Sequence, residues 1–101
     1  MTKKGVLIIK GDGIFSGKHH YTAYLEDTLF KYGLEKKKKI TDVVDLSEVM
    51  AVEKDEEDRH KLNIFFNSKD KRKYRTDTTP ERDSWVAALK KAAMKSYNEK
   101  I

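Results

Sequence analysis

The sequence predicts an antiparallel β-sandwich or barrel of seven short strands, closed by one C-terminal helix. Two observations support this fold class. Seven short segments rich in branched and aromatic residues follow one another over residues 5–76, with turn signals at close spacing. The apolar period then changes to that of a helix over about residues 79–96. A helix with one apolar stripe needs a sheet to cover, so we expect it to plug one open end of a bent sandwich.

The seven predicted strands are separated by polar or glycine-containing turns. The first strand ends at the turn signal Gly11-Asp12-Gly13. The sixth alternates apolar and other residues, so that Leu62, Ile64 and Phe66 share one face. The predicted strands are Gly5–Lys10, Lys18–Leu25, Thr28–Tyr32, Ile40–Leu46, Val49–Glu53, Lys61–Phe66 and Arg72–Thr76.

The predicted helix has a start signal and an apolar stripe. The segment Thr78-Thr79-Pro80-Glu81 offers a threonine cap, a proline in the first turn and an early glutamate. Either Thr78 forms a capping box with Glu81, or Pro80 is the first helical residue and Thr79 is the cap. The stripe consists of residues at helical spacing, namely Trp85, Val86, Leu89, Ala92 and Ala93.

Length and composition fit one small folded domain. The chain has 101 residues, of which 38 % are hydrophobic and 39 % charged, so a small core lies under a densely charged surface. The absence of cysteine excludes disulfides and thiolate metal sites, and we expect neither a metal nor a cofactor. Apolar runs reach five residues, against the roughly 20 needed to span a bilayer, so any membrane contact is expected to be peripheral.

The positive net charge is distributed unevenly. Residues 1–40 carry +5, residues 41–60 carry −6 and residues 61–101 carry +6. If the two basic regions meet in space, the molecule is an electrical dipole with one face suited to phosphate. Taken alone, each lysine run is more typical of a solvated turn.

Sequence patterns for catalysis and for nucleic-acid binding are absent. No Gly-x-Ser-x-Gly, P-loop or His-Glu-x-x-His pattern accompanies His19, His20 and His60, so we expect no catalytic residue. The acids of residues 55–58 lack the spacing and the glycine of a calcium loop. No basic recognition helix or zinc pattern occurs, and the acidic segment 41–60 opposes a broad nucleic-acid surface.

Four segments, spread from Lys4 to about Met94, together match the motifs of a known family. They are Lys4-Gly5-Val6-Leu7, Thr28-Leu29-Phe30-Lys31-Tyr32, Val44-Asp45-Leu46-Ser47 and residues 80–89 around Trp85. They resemble the opening Gly-x-Leu, the Thr-Leu-x-x-Tyr of the third strand, the Ile-Asp-Leu-Ser of the fourth and the helix with its single tryptophan in the pleckstrin-homology (PH) domain family. We expect Trp85 to lie in the core, between helix and sheet.

The resemblance implies a strongly bent sandwich whose open, positively charged end binds inositol phosphate headgroups. It also implies that residues 1–101 form a single non-catalytic domain of a larger signalling protein. That parent is then a protein kinase with an N-terminal PH domain, a GTPase exchange factor or an adaptor.

The resemblance further implies a phosphate pocket at the first turn. Family members that bind phosphoinositides tightly carry a lysine late in the first strand, matched by Lys10, and Lys or Arg-x-Arg at the start of the second. Lys18 matches the first position of that motif, and His20 stands in place of the final arginine. Histidine is only partly charged at pH 7 and lacks the guanidinium fork, so binding through His20 would strengthen as pH falls toward about 6. A one-residue slip would exchange the two faces of this strand and turn His20 away, leaving an ordinary surface histidine.

Two loops are expected to complete the pocket. The loop Gly11–Gly17 would wrap a headgroup, and Ile14 and Phe15 at its tip either dip into the membrane interface or fold back onto the loop. In the third loop Lys36, Lys37 and Lys38, with Lys39, would reach the same mouth. Such residues add about 1 kcal/mol each near an anionic membrane. A third basic run either extends this face or forms a solvated turn, and comprises Lys69, Lys71, Arg72 and Lys73.

We therefore expect a monomeric, cytoplasmic module that binds phosphoinositides and associates reversibly with membranes. The alternative is a PH-like module with weak or no lipid specificity, which docks a protein such as a small GTPase through a sheet edge or helix face. The missing arginine at His20 favours this alternative.

Overall fold

The part of the chain that the structure describes, residues 2–10 and 17–99 of a computed structural model, forms one seven-stranded antiparallel sheet and a C-terminal helix. The strands lie in the spatial order β4-β3-β2-β1-β7-β6-β5. The seven predicted strands, the helix and the fold class are confirmed. The elements are β1 (Thr2–Lys10), β2 (Lys18–Glu26), β3 (Leu29–Leu34), β4 (Asp42–Asp45), β5 (Val49–Lys54), β6 (Lys61–Phe66), β7 (Lys71–Arg75) and α1 (Thr79–Glu99).

The fourth strand is shorter than predicted. It ends at Asp45 because Leu46 begins a 3₁₀ turn, Leu46–Glu48, that leads into β5. The Asp45 side chain caps this turn by accepting a hydrogen bond from the backbone nitrogen of Ser47, at 2.9 Å. A short aspartate cap of this kind competes with the strand ladder for the backbone.

The pairing of β1 with β2 fixes the faces of both strands. Their ladder runs without a bulge from Thr2 opposite Glu26 to Lys10 opposite Lys18. Ala23 is fully buried and Leu25 is 1 % exposed. Because side chains alternate along a strand, the odd-numbered positions of β2 face the core. His20 therefore lies on the outer face of the sheet, on the same side as Lys18.

The core is built around aromatic rings. The ring of Phe30 lies 5.3 Å from that of Tyr32, 5.5 Å from that of Tyr74 and 5.8 Å from that of Trp85, between ring centroids. Trp85 is 2 % exposed, as predicted for a core residue. It packs over Gly5, where a Cβ atom would lie 3.0 Å from the indole nitrogen. Helix and sheet are thus joined by one large ring over a position without a side chain.

The start of α1 is tied to the sheet. The Thr78 hydroxyl accepts a hydrogen bond from the backbone nitrogen of Glu81, at 3.3 Å, so Thr78 is the capping residue. The buried Arg82 side chain donates to the backbone carbonyls of Asp58 and Lys61, at 3.4 and 3.2 Å. The turn that precedes β6 is therefore anchored to the first turn of the helix.

Within the described ranges, no helix combines the length and the apolarity that crossing a bilayer requires.

A candidate anion-binding cleft

A cleft opens where β1 and β7 diverge. Among the described residues, Ile8 opposite Arg75 is the one pair that joins these two strands, whereas β1 pairs with β2 along its whole length. The cleft measures about 910 Å³. Among the described residues that line it, seven are cations and none is an acid. The cations are Lys10, Lys18, Lys61, Lys71, Arg72, Lys73 and Arg75.

One wall of the cleft carries the two lysines that the sequence predicts there. Lys10 and Lys18 lie directly opposite each other at the ends of β1 and β2, and both are exposed. Like charges directly opposite each other destabilise a strand pair. An anion between them would remove that repulsion, so this end of the hairpin is suited to bind one.

The opposite wall is formed by β7. Because β1 and β7 are antiparallel around Ile8 and Arg75, the continuation of β1 toward Lys10 faces the part of β7 that carries Lys73. Neither Lys10 nor Lys73 has an ion pair within the described part of the chain. Lys71, Arg72 and Lys73 of β7 therefore line the cleft. From the sequence alone, these residues could equally have formed a solvated turn.

Arg72 is held in place on the floor of the cleft by aromatic side chains. Its Nη1 donates a hydrogen bond to the Tyr32 hydroxyl at 3.2 Å, and the hydroxyls of Tyr32 and Tyr74 are 3.0 Å apart. The guanidinium also lies 5.3 Å from the ring centroid of Phe66. Burial opposes the charged form of Arg72, but the tyrosine oxygens outweigh it and raise its pKa. Burial, followed by the neighbouring Tyr32, raises the pKa of Tyr74, which keeps that hydroxyl neutral.

The two ends of the cleft differ in charge. Arg75 forms an ion pair with Asp58, which lies in the turn before β6. Its positive charge is therefore partly compensated, and the Asp58 carboxylate is close enough to repel a second anion at this end. The uncompensated positive charge lies toward Lys10 and Lys18, away from Asp58.

The other residues predicted for the site lie elsewhere. His20 is exposed, opposite Ile8 on the outer face, and does not line the cleft. Lys36 and Lys37 are exposed in a 3₁₀ turn, Glu35–Lys37. Lys38 lines a second groove of about 590 Å³ on the outer face of the sheet, with Lys39 and Tyr24. The structure thus groups Lys10 with Lys18 but not with the tetralysine run. Ile14 and Phe15 lie outside the described residues.

The loop that carries the tetralysine run, residues 35–41, folds back against β3. The backbone nitrogen of Thr41 donates to the carbonyl of Tyr32 at 3.0 Å. A Cβ atom on Gly33 would lie 2.8 Å from the carbonyl carbon of Lys39 and 3.0 Å from the Cα atom of Ile40. Only glycine permits this close approach, which directs Lys38 and Lys39 over the outer face.

Residues 2–10 and 17–99 contain no cluster of three or more histidine, aspartate or glutamate side chains arranged to hold a metal ion.

Comparisons with known proteins agree with this architecture. The PH domain of human oxysterol binding protein-related protein 11 superimposes with a TM-score of 0.82 at 20 % identity, covering 98 % of this chain and 85 % of that one. The PH domain of human TBC1 domain family member 2 gives 0.77 at 16 % identity, with 96 % and 84 % covered. A complex of human RhoA with the DH/PH fragment of PDZRHOGEF gives 0.79 at 14 % identity, with 92 % and 28 % covered.

At these identities the solved structures show the fold alone. No curated protein sequence matches the chain. The model of the PH domain family, however, matches residues 1–94. Because that match covers nearly the whole sequence, the chain belongs to the PH domain family.

Proposed function

We propose that this PH domain binds phosphoinositide headgroups and brings a larger signalling protein to the cytoplasmic face of a membrane. The observation that supports this most is the pairing of Lys10 with Lys18 at the mouth of a cleft whose described lining is free of acids. The cleft volume of about 910 Å³ lies within the range of roughly 300–1,000 Å³ that is typical of small-ligand sites. The domain itself has no catalytic part in this proposal.

The charge of the cleft matches the charge of the ligand. A phosphate monoester carries about −1.5 to −2 charges at pH 7 and accepts several hydrogen bonds. Lys10, Lys18 and Lys73 supply ammonium donors from two sides, and Arg72 supplies a guanidinium from the floor. Asp58 repels phosphate from the far end, so the headgroup would bind nearest to Lys10 and Lys18.

The same end of the sheet would face the membrane. The loop that carries Ile14 and Phe15 begins at Lys10 and ends beside Lys18, so both of its ends lie at the cleft, and we propose that its tip contacts the interface. Pairing of β2 with β3 ends at Leu34, so the loop with Lys36, Lys37 and Lys38 starts near the beginning of β2. We propose that these lysines attract anionic lipid from the rim, at about 1 kcal/mol each.

Vesicle binding of two double variants tests the proposal. Lys10→Ala with Lys18→Ala removes two cleft charges, and Lys90→Ala with Lys91→Ala removes two exposed charges from α1 as a matched control. We expect the double variant of Lys10 and Lys18 to bind phosphoinositide vesicles about tenfold or more weakly than the wild type, because charge-assisted hydrogen bonds are lost. The helix pair should change little. Equal losses in the two variants would indicate general attraction to the membrane and contradict the cleft assignment.

His20 is proposed as a rim contact, since it shares the outer face with Lys18. Its imidazole would then donate a hydrogen bond to phosphate at the edge of the cleft. His20→Ala should lower the affinity for phosphoinositide vesicles, but by less than the Lys10→Ala, Lys18→Ala pair. An unchanged affinity would remove His20 from the site.

A second candidate function is docking of a protein partner such as a small GTPase. Met50 is 66 % exposed and Tyr97 is 64 % exposed, and they flank a groove of about 420 Å³ lined by Leu46, Val49 and Ala93. Large apolar side chains exposed around a groove are typical of protein contacts. Met50→Glu and Tyr97→Glu should abolish binding to a GTP-loaded small GTPase and leave vesicle binding intact. Absence of GTPase binding by the wild type would reject this candidate.

A further inference from the structure

We infer that Arg72 makes the cleft distinguish a phosphate monoester from other anionic headgroups, and that Tyr32 and Tyr74 are its positioning residues. This inference rests on the proposed function, because it assigns the headgroup selectivity of the same cleft. The lysines of the cleft attract any anion, whereas selectivity requires a group with a fixed hydrogen-bonding shape.

The chemistry of the guanidinium provides that shape. Arginine presents five N–H donors in a planar fork that matches two oxygens of one phosphate group, while a lysine ammonium is a freely rotating point charge. A phosphoinositide carries terminal phosphate monoesters with several free oxygens. Phosphatidylserine offers a phosphodiester and a carboxylate beside an ammonium group. A carboxylate and a phosphodiester also offer two oxygens to the fork, but a monoester has a third free oxygen and a charge of about −1.5 to −2. A monoester can therefore accept from the fork of Arg72 and from the cleft lysines through one group, which favours it over the groups of phosphatidylserine.

Arg72 is oriented before any ligand arrives. One of its donors, on Nη1, is committed to the Tyr32 hydroxyl, which itself contacts the Tyr74 hydroxyl. Tyr32 is 5 % exposed and Tyr74 is 1 % exposed, so both anchoring hydroxyls are fixed in the core. The guanidinium also stacks over Phe66. These contacts leave the remaining donors available and reduce the side-chain freedom that is lost on binding.

The other arginine of the cleft cannot play this part equally well. Arg75 is already paired with the Asp58 carboxylate. Arg72 has no carboxylate partner within the described residues. Of the two guanidinium groups that line the cleft, Arg72 is therefore the one available for phosphate.

Conservative substitutions separate shape from charge. Arg72→Lys keeps the charge and loses the fork, and Arg59→Lys is the same change at an exposed arginine that does not line the cleft. Binding is measured to vesicles that contain phosphatidylinositol bisphosphate and to vesicles with phosphatidylserine at the same total charge. We expect Arg72→Lys to lower affinity for the first vesicles about tenfold and to leave the second unchanged. Arg59→Lys should leave the affinities for both kinds of vesicle as in the wild type.

The positioning residues have their own test. Tyr32→Phe removes the anchoring hydroxyl and keeps the ring, and it should lower phosphoinositide affinity about threefold without changing phosphatidylserine binding. Thermal unfolding checks that the variants are folded. A wild type without preference between the two vesicles would overturn both the proposed function and this inference. A wild-type preference that Arg72→Lys retains in full would overturn the inference alone.

Discussion

Replacing Gly33 with alanine would test whether the loop of residues 35–41 is held against β3 by close backbone contact. An added Cβ atom would lie 2.8 Å from the carbonyl carbon of Lys39, and nearer still to its carbonyl oxygen. Ordinary contacts of a Cβ atom begin at 3.4 Å. Because the obstructing atoms belong to the backbone, no side-chain rotation relieves the overlap, and the loop itself must move.

The cost follows from two contacts. Forcing an extra methyl group into a packed position costs about 1–3 kcal/mol. Movement of the loop also strains the hydrogen bond from the Thr41 nitrogen to the Tyr32 carbonyl, now 3.0 Å long, and such a bond contributes about 1 kcal/mol. Alanine also lowers the conformational entropy of the unfolded chain, which offsets about 0.4–1 kcal/mol of this destabilisation. We therefore expect Gly33→Ala to lower the free energy of unfolding by about 2 kcal/mol, which for a domain of this size lowers Tm by about 8–16 °C.

Urea unfolding of matched glycine variants measures this effect. Gly17 is the control, because a Cβ atom there would meet no atom of residues 2–10 or 17–99 within 4 Å. Gly17→Ala should change the free energy of unfolding by less than about 0.5 kcal/mol. If Gly33→Ala is as stable as Gly17→Ala, the close backbone contact neither holds the loop nor directs Lys38 and Lys39 over the outer face of the sheet.

Three further predictions concern buried hydrogen bonds and titrating groups. Arg82→Met removes the donors to two backbone carbonyls and should cost about 1–3 kcal/mol in urea unfolding; an unchanged midpoint contradicts this. Burial raises the pKa of Tyr74 above its ordinary 10.0, so stability present below pH 10 should fall as pH rises further, by about 1.4 kcal/mol per pH unit. Tyr74→Phe should lack that slope, and a retained slope refutes the assignment. The hydrogen bond from Asn63 lowers the pKa of Asp55 below its ordinary 3.8, so its stabilisation is complete above pH 3.8 and lost as pH falls through the lower folded-state value. In Asn63→Ala the free energy of unfolding should fall less steeply at acid pH than in the wild type. The same acid dependence in both proteins would contradict the role of Asp55.

Strand and helix positions could be predicted because they depend on local patterns. The alternation in Lys61–Phe66 and the helical stripe from Trp85 to Ala93 each indicate which face of the element is buried, and each can be recognised in a short stretch of sequence. The fourth strand was predicted too long, since Ile40 and Leu46 are apolar but lie in the preceding loop and the following 3₁₀ turn. Boundaries of this kind are decided by caps and loops, which periodicity does not reveal.

The site could be predicted only in part. Lys10 and Lys18 are brought together by a short hairpin, and a hairpin is a local structure. The partnership of Arg72 with Tyr32 joins residues that are 40 positions apart, and no local pattern reports it. The face of His20 depended on which side of β2 is buried, which Ala23 and Leu25 decide in the folded chain. The path of the tetralysine loop depends on Gly33, which has no side chain and so allows the backbone carbonyl of Lys39 to approach closely.

The sparse pairing between β1 and β7 sets the presence of the cleft against ladder formation. In the described chain the two strands share one residue pair, whereas a complete antiparallel ladder would join many. Extending the pairing would add inter-strand hydrogen bonds, would bring Lys10 closer to Lys73 and would close the cleft. Selection for heat resistance alone would therefore be expected to yield a descendant of this domain without the cleft.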